Sequence, residues 1–440
     1  MQTMDYKFLR FTDFKSIFQW DLKRYLNKSF KSKYSIVALE THIDEESIKY
    51  AISESGKQYG ILGVNNQTGI FDAYLEDGAK IKQKYKKMKT GWIAYNPYRV
   101  NVGSIGIKKE EHKYEYISPA YVVFRCKSSL LPDYLFLTMK TPTFNKIIND
   151  STTGSVRQNL SFDTLKELTI PLPSVTEQEA LVFAYKEKMQ QALELERQAS
   201  QKEKEIEEYL LSELNIFITK AKLHKGLNLI RFKDVERWDC YNGGYSIATS
   251  LKQSPYPIVE IGKIFDFTQR RWNKKEKVFN YVEIGAVDPL KGIMYTEEIQ
   301  TTKAPSRATQ TIKTGDLIVG TTRPYLKKFA IVGPAFENCV CSSGFQVIAP
   351  KDEYNLSYLY EYLKSSVAIA QFELFMSGAL YPAITGKDLK KILIPLPPID
   401  IQNSIVNHIN KLKEQIIQFK QQAEDLRKRA LEEFEKEIFE

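Results

Sequence analysis

An internal repeat constrains this chain more than any other feature of its 440 residues. Lys-Thr-Gly at residues 89–91 recurs at 313–315, and Ile-Pro-Leu-Pro at 170–173 recurs at 394–397, both at an offset of 224 residues. No residue is inserted or deleted between the two matches. A repeat of this kind takes precedence over local patterns in deciding the fold. Two copies of one unit in one chain can pair only around a pseudo-two-fold axis or head to tail.

The two copies do not match along their whole length. Residues 40–85 and 260–310 share no motif, whereas residues 89–173 align with 313–397 without a gap. We therefore expect a common frame that carries two different surfaces. The length agrees with this division, because 440 residues exceed one ordinary domain and suit two or three.

A long amphipathic helix is expected after each Ile-Pro-Leu-Pro motif. In the second copy, apolar residues recur in alternating steps of four and three from Ile405 to Ala430, which is the a/d pattern of a coiled coil. The first copy keeps this register apart from Lys188 and Lys202. Each helix would be roughly 58 Å long. Antiparallel pairing is favoured over two unrelated surface helices, and it would separate the globular parts. The expected pairing positions are Leu181, Leu195, Ile206, Leu210, Ile405, Ile409, Leu412, Ile416, Phe419 and Leu426.

The globular parts are expected to be β-rich with some helix, so the predicted fold class is α+β. Helices should follow the last strand of each half, at Pro132–Lys140 and Leu356–Glu373. Runs of β-branched and aromatic residues bounded by turns predict strands at Tyr59–Val64, Gly91–Tyr95, Ala120–Arg125, Asp316–Gly320, Ala330–Val332 and Phe345–Ala349.

Positive charge is concentrated outside the two helical segments. The formal net charge of the chain is +9, yet residues 176–214 carry −5 and residues 400–440 carry −2, so the rest of the chain carries +16. An excess of Lys and Arg on globular domains is typical of proteins that bind polyanions such as nucleic acids.

Two basic segments supply most of the candidate DNA contacts. Residues 80–89 contain six Lys and no acid, and residues 270–277 mix Arg and Lys with Trp and Asn. Such side chains can neutralise phosphates or contact base edges, although a solvated loop is the simpler interpretation of either segment alone. Arg99 and Arg323 occupy equivalent positions, where a structural ion pair is an equal alternative. The candidates are Lys82, Lys84, Lys86, Lys87, Arg99, Arg157, Arg270, Arg271, Lys274, Arg307 and Arg323.

The chain lacks the usual signatures of catalysis. No phosphate-binding P-loop is present, and the four Cys and four His have no zinc-ligand spacing. The segment from Glu260 to Lys263 is the nearest approach to a nuclease site, but it has no paired acid. Residues 96–98, Asn-Pro-Tyr, lack the second Pro of the amino-methyltransferase loop and suit a strand-ending turn. Cys339 and Cys341 suit core packing.

Targeting segments are also not expected. Charge interrupts residues 1–20, which excludes the apolar region of a signal peptide. The apolar runs are far shorter than the roughly 20 residues of a membrane-spanning helix. We therefore expect a protein of the reducing cytoplasm.

The order of the motifs resembles the specificity subunit of type I restriction–modification enzymes. Each half shows Arg-Phe then Trp-Asp, Lys-Thr-Gly, and Ile-Pro-Leu-Pro with Gln178 or Gln402 before a long helix. The opening motifs lie at 10–11 and 20–21 in the first half and at 231–232 and 238–239 in the second. The Ser377–Pro382 segment lacks the Arg of the Gly154–Leu160 loop, which argues against a DNA contact shared by both loops.

The resemblance implies a non-catalytic subunit with two target recognition domains. Each domain would read one half of a split DNA sequence through the major groove, and the paired helices would set the spacer between the half-sites. The helices would dock two methyltransferase subunits, which bind S-adenosylmethionine and flip the target adenine. Restriction/translocase subunits would join with ATP and magnesium. The expected division is 1–175 and 221–399 for the recognition domains, with 176–220 and 400–440 for the helices.

Three other interpretations stay open from the sequence. The first is the recognition subunit of a type II system that cuts on both sides of its site. The second is a self-contained restriction or methylating enzyme, which the absent motifs oppose. The third is a coiled-coil scaffold without DNA specificity, which leaves the charge of +16 on the globular parts unexplained.

Overall fold

The structure is a computed structural model, and its residues group into two compact units. Unit 1 comprises Met1–Leu195 and Gln421–Glu440, and unit 2 comprises Glu196–Lys420. The described residues are 30–151, 159–217, 250–378 and 380–440. The Arg-Phe and Trp-Asp motifs that open each half, and the candidate Arg157, lie outside them.

The described part of unit 1 contains three β-sheets. Its strands are β1 (Ser35–Ala38), β2 (Ile43–Glu45), β3 (Lys49–Tyr50), β4 (Gln58–Asn65), β5 (Gly69–Asp77), β6 (Tyr85–Lys87), β7 (Ile93–Tyr95), β8 (Ile105–Ile107), β9 (Tyr116–Ile117), β10 (Val122–Cys126) and β11 (Thr169–Leu172). One antiparallel pair joins β1 to β11, and a four-stranded antiparallel sheet has the order β2-β10-β7-β8. The third sheet has the order β3-β6-β9-β4-β5.

Unit 2 repeats this arrangement in its described residues. Its strands are β12 (Ile258–Glu260), β13 (Asp266–Thr268), β14 (Val278–Val282), β15 (Val287–Asp288), β16 (Gly292–Ile293), β17 (Glu297–Gln300), β18 (Ala308–Thr311), β19 (Leu317–Gly320), β20 (Phe329–Ile331), β21 (Val340–Ser342), β22 (Phe345–Ala349) and β23 (Leu393–Pro395). The pair β12-β23 corresponds to β1-β11, and the sheet β13-β22-β19-β20 corresponds to β2-β10-β7-β8.

The repeat extends into the segments whose sequences do not match. In unit 2 the sheet β18-β21-β14-β17 has the same order as β6-β9-β4-β5 in unit 1. Each of these sheets also contains one parallel pair, β4 with β9 and β14 with β21. Strand pairing depends on backbone hydrogen bonds that most side chains permit. The topology can therefore persist where the sequence has diverged.

The helices complete each unit. They are α1 (Pro132–Lys140), α2 (Pro142–Ser151), α3 (Phe162–Glu167), α4 (Val175–Glu213), α5 (Ile261–Ile264), α6 (Leu356–Leu363), α7 (Ser366–Phe375), α8 (Gly386–Lys390) and α9 (Ile399–Phe439). The predicted helix Pro132–Lys140 is observed with these bounds. The predicted single helix Leu356–Glu373 is wrong, because α6 ends at Leu363 and α7 begins anew. Ser365 causes the break, since its side chain accepts a hydrogen bond from the backbone N–H of Ala368 and caps α7.

The Ile-Pro-Leu-Pro repeat has a structural basis in two buried tyrosines. The hydroxyl of Tyr134 donates to the carbonyl of Pro171 at 2.7 Å, and the hydroxyl of Tyr358 donates to the carbonyl of Pro395 at 2.7 Å. Each bond joins a short helix to the last strand of its unit. Loss of a buried partner costs about 1–3 kcal/mol, which gives a physical reason for the repeated tyrosine and motif.

Gln178 and Gln402 hold the start of each long helix in the same way. The Oε1 atom of Gln178 accepts from the backbone N–H of Leu131 at 2.8 Å, and its Nε2 donates to the carbonyl of Pro173 at 2.9 Å. Gln402 accepts from Asn355 at 3.0 Å and donates to the carbonyl at the equivalent proline at 2.8 Å. The repeated glutamine thus fixes the entry of α4 or α9.

Segments of α4 and α9 pack antiparallel to each other. Within unit 2, Glu203 and Lys420 form an ion pair at 2.7 Å, and the rings of Tyr209 and His408 lie 4.0 Å apart. Within unit 1, Lys188, one of the interruptions of the predicted seam, pairs with Glu433 at 2.6 Å. All ten predicted pairing positions are buried or half-buried. The α+β fold with an internal repeat and paired long helices is therefore confirmed.

The C-terminal end of each long helix also enters a globular core. Leu210 of α4 and Leu214, the residue that directly follows α4, belong to the largest apolar cluster of unit 2. Phe434 and Ile438 of α9 belong to the largest apolar cluster of unit 1, where the ring centroids of Tyr134 and Phe434 lie 5.7 Å apart. The core of unit 1 is therefore completed by residues that lie 300 or more positions further along the chain than Tyr134.

Unit 2 contains a buried ion pair whose two positions are occupied by apolar residues in unit 1. Lys413 of α9 is 9% exposed and pairs with Glu361 of α6, which is 4% exposed. Lys364 lies beside them and donates to the carbonyl of Pro289 at 2.7 Å, and burial lowers the pKa of Lys364 to about 8. At the offset of 224 the equivalents of Lys413 and Glu361 in unit 1 are Met189 and Leu137, so both equivalent residues are uncharged.

Candidate nucleic-acid interface

A tight turn that begins at Arg99 joins β7 to β8 in unit 1. Residues 99–103, the Arg99 turn, form a single 3-10 turn that ends on Gly103 at φ +85°, a conformation that favours glycine. Arg99 is exposed and forms no ion pair with any residue that the structure describes. Tyr98 and Val102 are both more than half exposed. The turn therefore presents a cation among exposed apolar groups.

The equivalent turn of unit 2 comprises residues 323–327, the Arg323 turn, and joins β19 to β20. Arg323 at φ +50° and Lys327 at φ +54° are both left-handed, which is uncommon for residues with a Cβ. The guanidinium of Arg323 donates to the carbonyl of Leu380 at 3.1 Å and lies 4.7 Å from the ring centroid of Tyr381. Leu380 and Tyr381 are 80% and 67% exposed. Across the described ranges, Arg323 has no carboxylate partner, so the ion-pair alternative does not hold there.

The lysine-rich segment of unit 1 is divided between surface and interior. Lys82 and Lys84 are exposed. Lys87 is half-buried and pairs with Glu115 at 2.9 Å, and this hydrogen bond raises the pKa of Lys87. Lys86 is only 5% exposed and donates to a backbone carbonyl at 3.0 Å, and burial lowers its pKa. The position of Lys86 therefore disfavours the predicted phosphate contact, whereas Lys82 and Lys84 are free to make one.

The basic segment of unit 2 is divided in the same way. Arg270 forms a bidentate ion pair with Asp316, which is fully buried, and one of its two bonds measures 3.0 Å. This pairing fixes Arg270 to the fold and disfavours a role in DNA contact. Arg271, Lys274 and Arg307 are exposed. The backbone of residues 270–272 lies antiparallel to β18, which Arg307 directly precedes, so these cations share one edge of a sheet.

One polar turn beside the Arg99 turn was not anticipated from the sequence. Residues 65–69, Asn-Asn-Gln-Thr-Gly, connect β4 to β5, and the side chains of Asn66, Gln67 and Thr68 are exposed. Turn residues between two alternating strands signal a hairpin. A search for positive charge does not detect such a turn, because its side chains are neutral.

The described residues also include metal-ligating and nucleophilic side chains outside the basic segments. Among them, no group of three or more His, Cys, Asp and Glu side chains is placed to hold a metal ion. Burial raises the pKa of Cys126 and of Cys341 to about 12, so both thiols stay protonated near neutral pH. In the part of the chain described, no helix has the length and apolar character needed to cross a membrane.

The family of the chain follows from a match to both halves. A family model described as the type I restriction modification DNA specificity domain matches residues 15–208 and 254–426. The chain belongs to this family. The specificity-domain family thus occupies both copies of the internal repeat, and the resemblance drawn from the motifs is confirmed.

Three solved structures are similar to this chain, and the first of them shares its fold. A chain from a structure described as the basis of complex assembly and conformational transition of the type I R-M system has a TM-score of 0.57 at 16% identity, covering 93% of this chain and 98% of its own. The HsdS subunit from Thermoanaerobacter tengcongensis has a TM-score of 0.44 at 16% identity, covering 93% and 97%. The S subunit of the Type-I restriction-modification system from M. genitalium has a TM-score of 0.44 at 14% sequence identity. The match covers 93% of this chain and 97% of that subunit. No curated protein sequence matches the chain.

Proposed function

We propose that this chain is the DNA-recognition subunit of a type I restriction–modification complex and that it catalyses no reaction itself. The observation that carries the proposal is the presence of two units with one strand topology and different exposed loops. Two different readers on one repeated frame suit a DNA site with two unlike halves, because half-site spacing follows protein geometry. Each unit would read one half-site, and the exposed Arg99 and Arg323 turns are the candidate contacts shared by both.

The helices supply the surface for partner subunits in this proposal. Leu193 of α4 and Ile417 of α9 occupy equivalent positions of the repeat, and both are exposed. The repeat thus gives one equivalent exposed position on each helix, and in this proposal each position belongs to the docking surface of one of two methyltransferase subunits. Those subunits would bind S-adenosylmethionine, and restriction/translocase subunits would supply ATP and magnesium chemistry. The chain would act in the cytoplasm, where its DNA substrate lies.

Two alternatives differ from this proposal. One differs in the partner subunits, and the other differs in whether the chain binds DNA. A recognition subunit of a type II system that cuts on both sides of its site would share the same chain architecture and differ in the subunits it recruits. A coiled-coil scaffold would use the helices alone and would leave the exposed cations Lys82, Lys84, Arg271 and Arg307 without a ligand.

Methylome sequencing tests the proposal directly. We expect a host without its own modification to gain a split motif of methylated adenines only when this chain and its methyltransferase subunit are expressed together. The methylated motif would give the DNA sequences of both half-sites. Methylation by this chain alone would overturn the non-catalytic assignment. No methylation with the associated pair would favour the scaffold.

The affinity for duplex DNA is expected to fall steeply with salt. Each neutralised phosphate contributes a slope of about −0.9 to the dependence of log K on log salt concentration. Replacing the exposed Lys82 and Lys84 with Ala should therefore make the slope shallower by about 2, as measured by fluorescence anisotropy over a series of NaCl concentrations. Lys428→Ala with Lys436→Ala, two exposed lysines of α9, is the matched control and should leave the slope unchanged. An unchanged slope in the Lys82/Lys84 variant would remove these residues from the interface.

A further inference from the structure

The β4–β5 hairpin of unit 1 packs against the β7–β8 hairpin, which carries the Arg99 turn, through a glycine contact. A Cβ on Gly106 would lie 2.3 Å from the backbone nitrogen of Ile70, so only glycine allows β8 to approach β5 this closely. The hydroxyl of Ser104 donates to the carbonyl of Val64 at 3.2 Å and ties the two hairpins together. At the turns themselves, a Cβ on Gly103 would lie 3.7 Å from the Cβ of Asn66. The two turns therefore form one surface.

The β4–β5 turn is held in a defined shape by Asn65. The Oδ1 atom of Asn65 accepts hydrogen bonds from the backbone N–H of Gln67 at 3.0 Å and of Thr68 at 2.7 Å. It also accepts from the hydroxyl of Thr68 at 3.0 Å. These bonds form the local turn that Asn side chains favour, and they occupy Asn65 itself. The neighbouring amides of Asn66 and Gln67 are exposed and make no hydrogen bond to any residue in the described ranges.

Two free amides beside an exposed arginine form a set suited to reading bases. The amide of Asn or Gln can bond both N6 and N7 of adenine in the major groove, and Arg can bond O6 and N7 of guanine. Contacts to phosphate, by contrast, position a protein without reading sequence. The glycine contact places the amides of Asn66 and Gln67 on the same surface as the Arg99 turn.

Unit 2 presents different chemistry at the equivalent place. The connection from β14 to β17 is a longer segment, residues 283–296, in which Met294 and Tyr295 are about half exposed. This segment is also seated on the hairpin of its unit, because Lys328 donates to the carbonyl of Val287 at 2.6 Å. Both units therefore have a connection packed at the same place in the fold, but the exposed side chains of the two connections differ. Such a difference is what two unlike half-sites require.

We propose that Asn66 and Gln67 are specificity-determining residues that contact base edges in the half-site of unit 1, with adenine as the base they select. The inference rests on the proposed DNA-recognition function and deepens it. Arg99 would lie next to these contacts, on guanine or phosphate. The residues at 283–296 would take the corresponding place in the half-site of unit 2.

The test compares Asn66→Ala/Gln67→Ala with wild type in the complex with the methyltransferase subunit. Methylation is measured on a DNA library in which both half-sites are randomised. Each good bidentate contact discriminates by about 1–3 kcal/mol, so methylation of the best site should fall roughly 5- to 150-fold for each lost contact. One or two adjacent positions of a single half-site should become degenerate, and the other half-site should not change.

Gln58→Ala is the matched control, because Gln58 is an exposed amide at the opposite end of β4. It should retain the wild-type motif and rate. If the double variant still methylates the full wild-type motif, the assignment of Asn66 and Gln67 is overturned. The proposed function would stand in that case, because the wild-type protein would still show a split motif. Uniform weakening on all sequences would indicate backbone contacts and would also overturn it. Absence of any motif with wild type would reject the proposed function itself.

Discussion

Replacing Phe434 and Ile438 with Ala is expected to unfold unit 1 and to leave unit 2 folded. Phe434 is 3% exposed and Ile438 is fully buried, and both pack in the apolar cluster of unit 1. Truncation of a buried Phe or Ile to Ala costs about 2–5 kcal/mol. Two such losses together approach or exceed the whole stability of a typical domain, which is about 5–15 kcal/mol.

Hydrogen exchange measured by mass spectrometry can resolve this prediction, because peptides of the two units are monitored separately. Protection should be lost in strands β2, β7 and β10 and retained in β13, β19 and β22. Ile417→Ala is the control, since Ile417 lies on the same helix with its side chain exposed. Equal loss of protection in both units, or in neither, would contradict the assignment of the end of α9 to the core of unit 1.

The second large effect concerns the ion pair buried in unit 2. Lys413→Met is expected to destabilise this unit by about 3–5 kcal/mol, because it leaves the carboxylate of Glu361 buried without its partner. Adding Glu361→Leu should recover the loss and can stabilise the unit further by about 1–4 kcal/mol. The double variant reproduces Met189 and Leu137, the residues that unit 1 has at the equivalent positions.

Urea unfolding followed through peptides of unit 2 provides the measurement. Lys420→Met is the matched control, since it removes an exposed ion pair with Glu203 on the same helix and should cost only about 0–1 kcal/mol. If the double variant had the same low free energy of unfolding as Lys413→Met alone, the unpaired carboxylate of Glu361 would not be the cause of the instability. The loss would then come from the packing of the Lys413 side chain.

The sequence predicted the parts of the fold that depend on periodic patterns. The ten positions of the predicted heptad seam are all buried or half-buried, because an apolar stripe at this spacing must be covered. The division of Leu356–Glu373 into two helices was missed because a serine cap competes with a continuous apolar pattern. The shared topology of the non-matching segments was also missed, since it depends on backbone pairing and not on particular residues.

The candidate interface was less accessible to sequence reasoning. A count of lysines cannot separate the exposed Lys82 from the buried Lys86, which lie four positions apart in the chain and have opposite surroundings. Arg270 is likewise committed to Asp316, 46 residues away in the chain. Asn66 and Gln67 acquire their place only through the glycine contact between two hairpins, and nothing local to their sequence encodes that contact.

The entry of α9 into unit 1 affects the order in which the protein can mature on the ribosome. Domains generally fold in the order in which they are synthesised, yet the core of unit 1 includes residues that are translated after all of unit 2. Synthesis of unit 1 therefore begins before that of unit 2, but folding of unit 1 can be completed only after unit 2 has been synthesised. Until Phe434 and Ile438 emerge from the exit tunnel, unit 1 cannot complete its apolar core, and part of that core stays exposed to solvent. A pause or premature stop late in translation would thus damage the half of the protein that was made earliest.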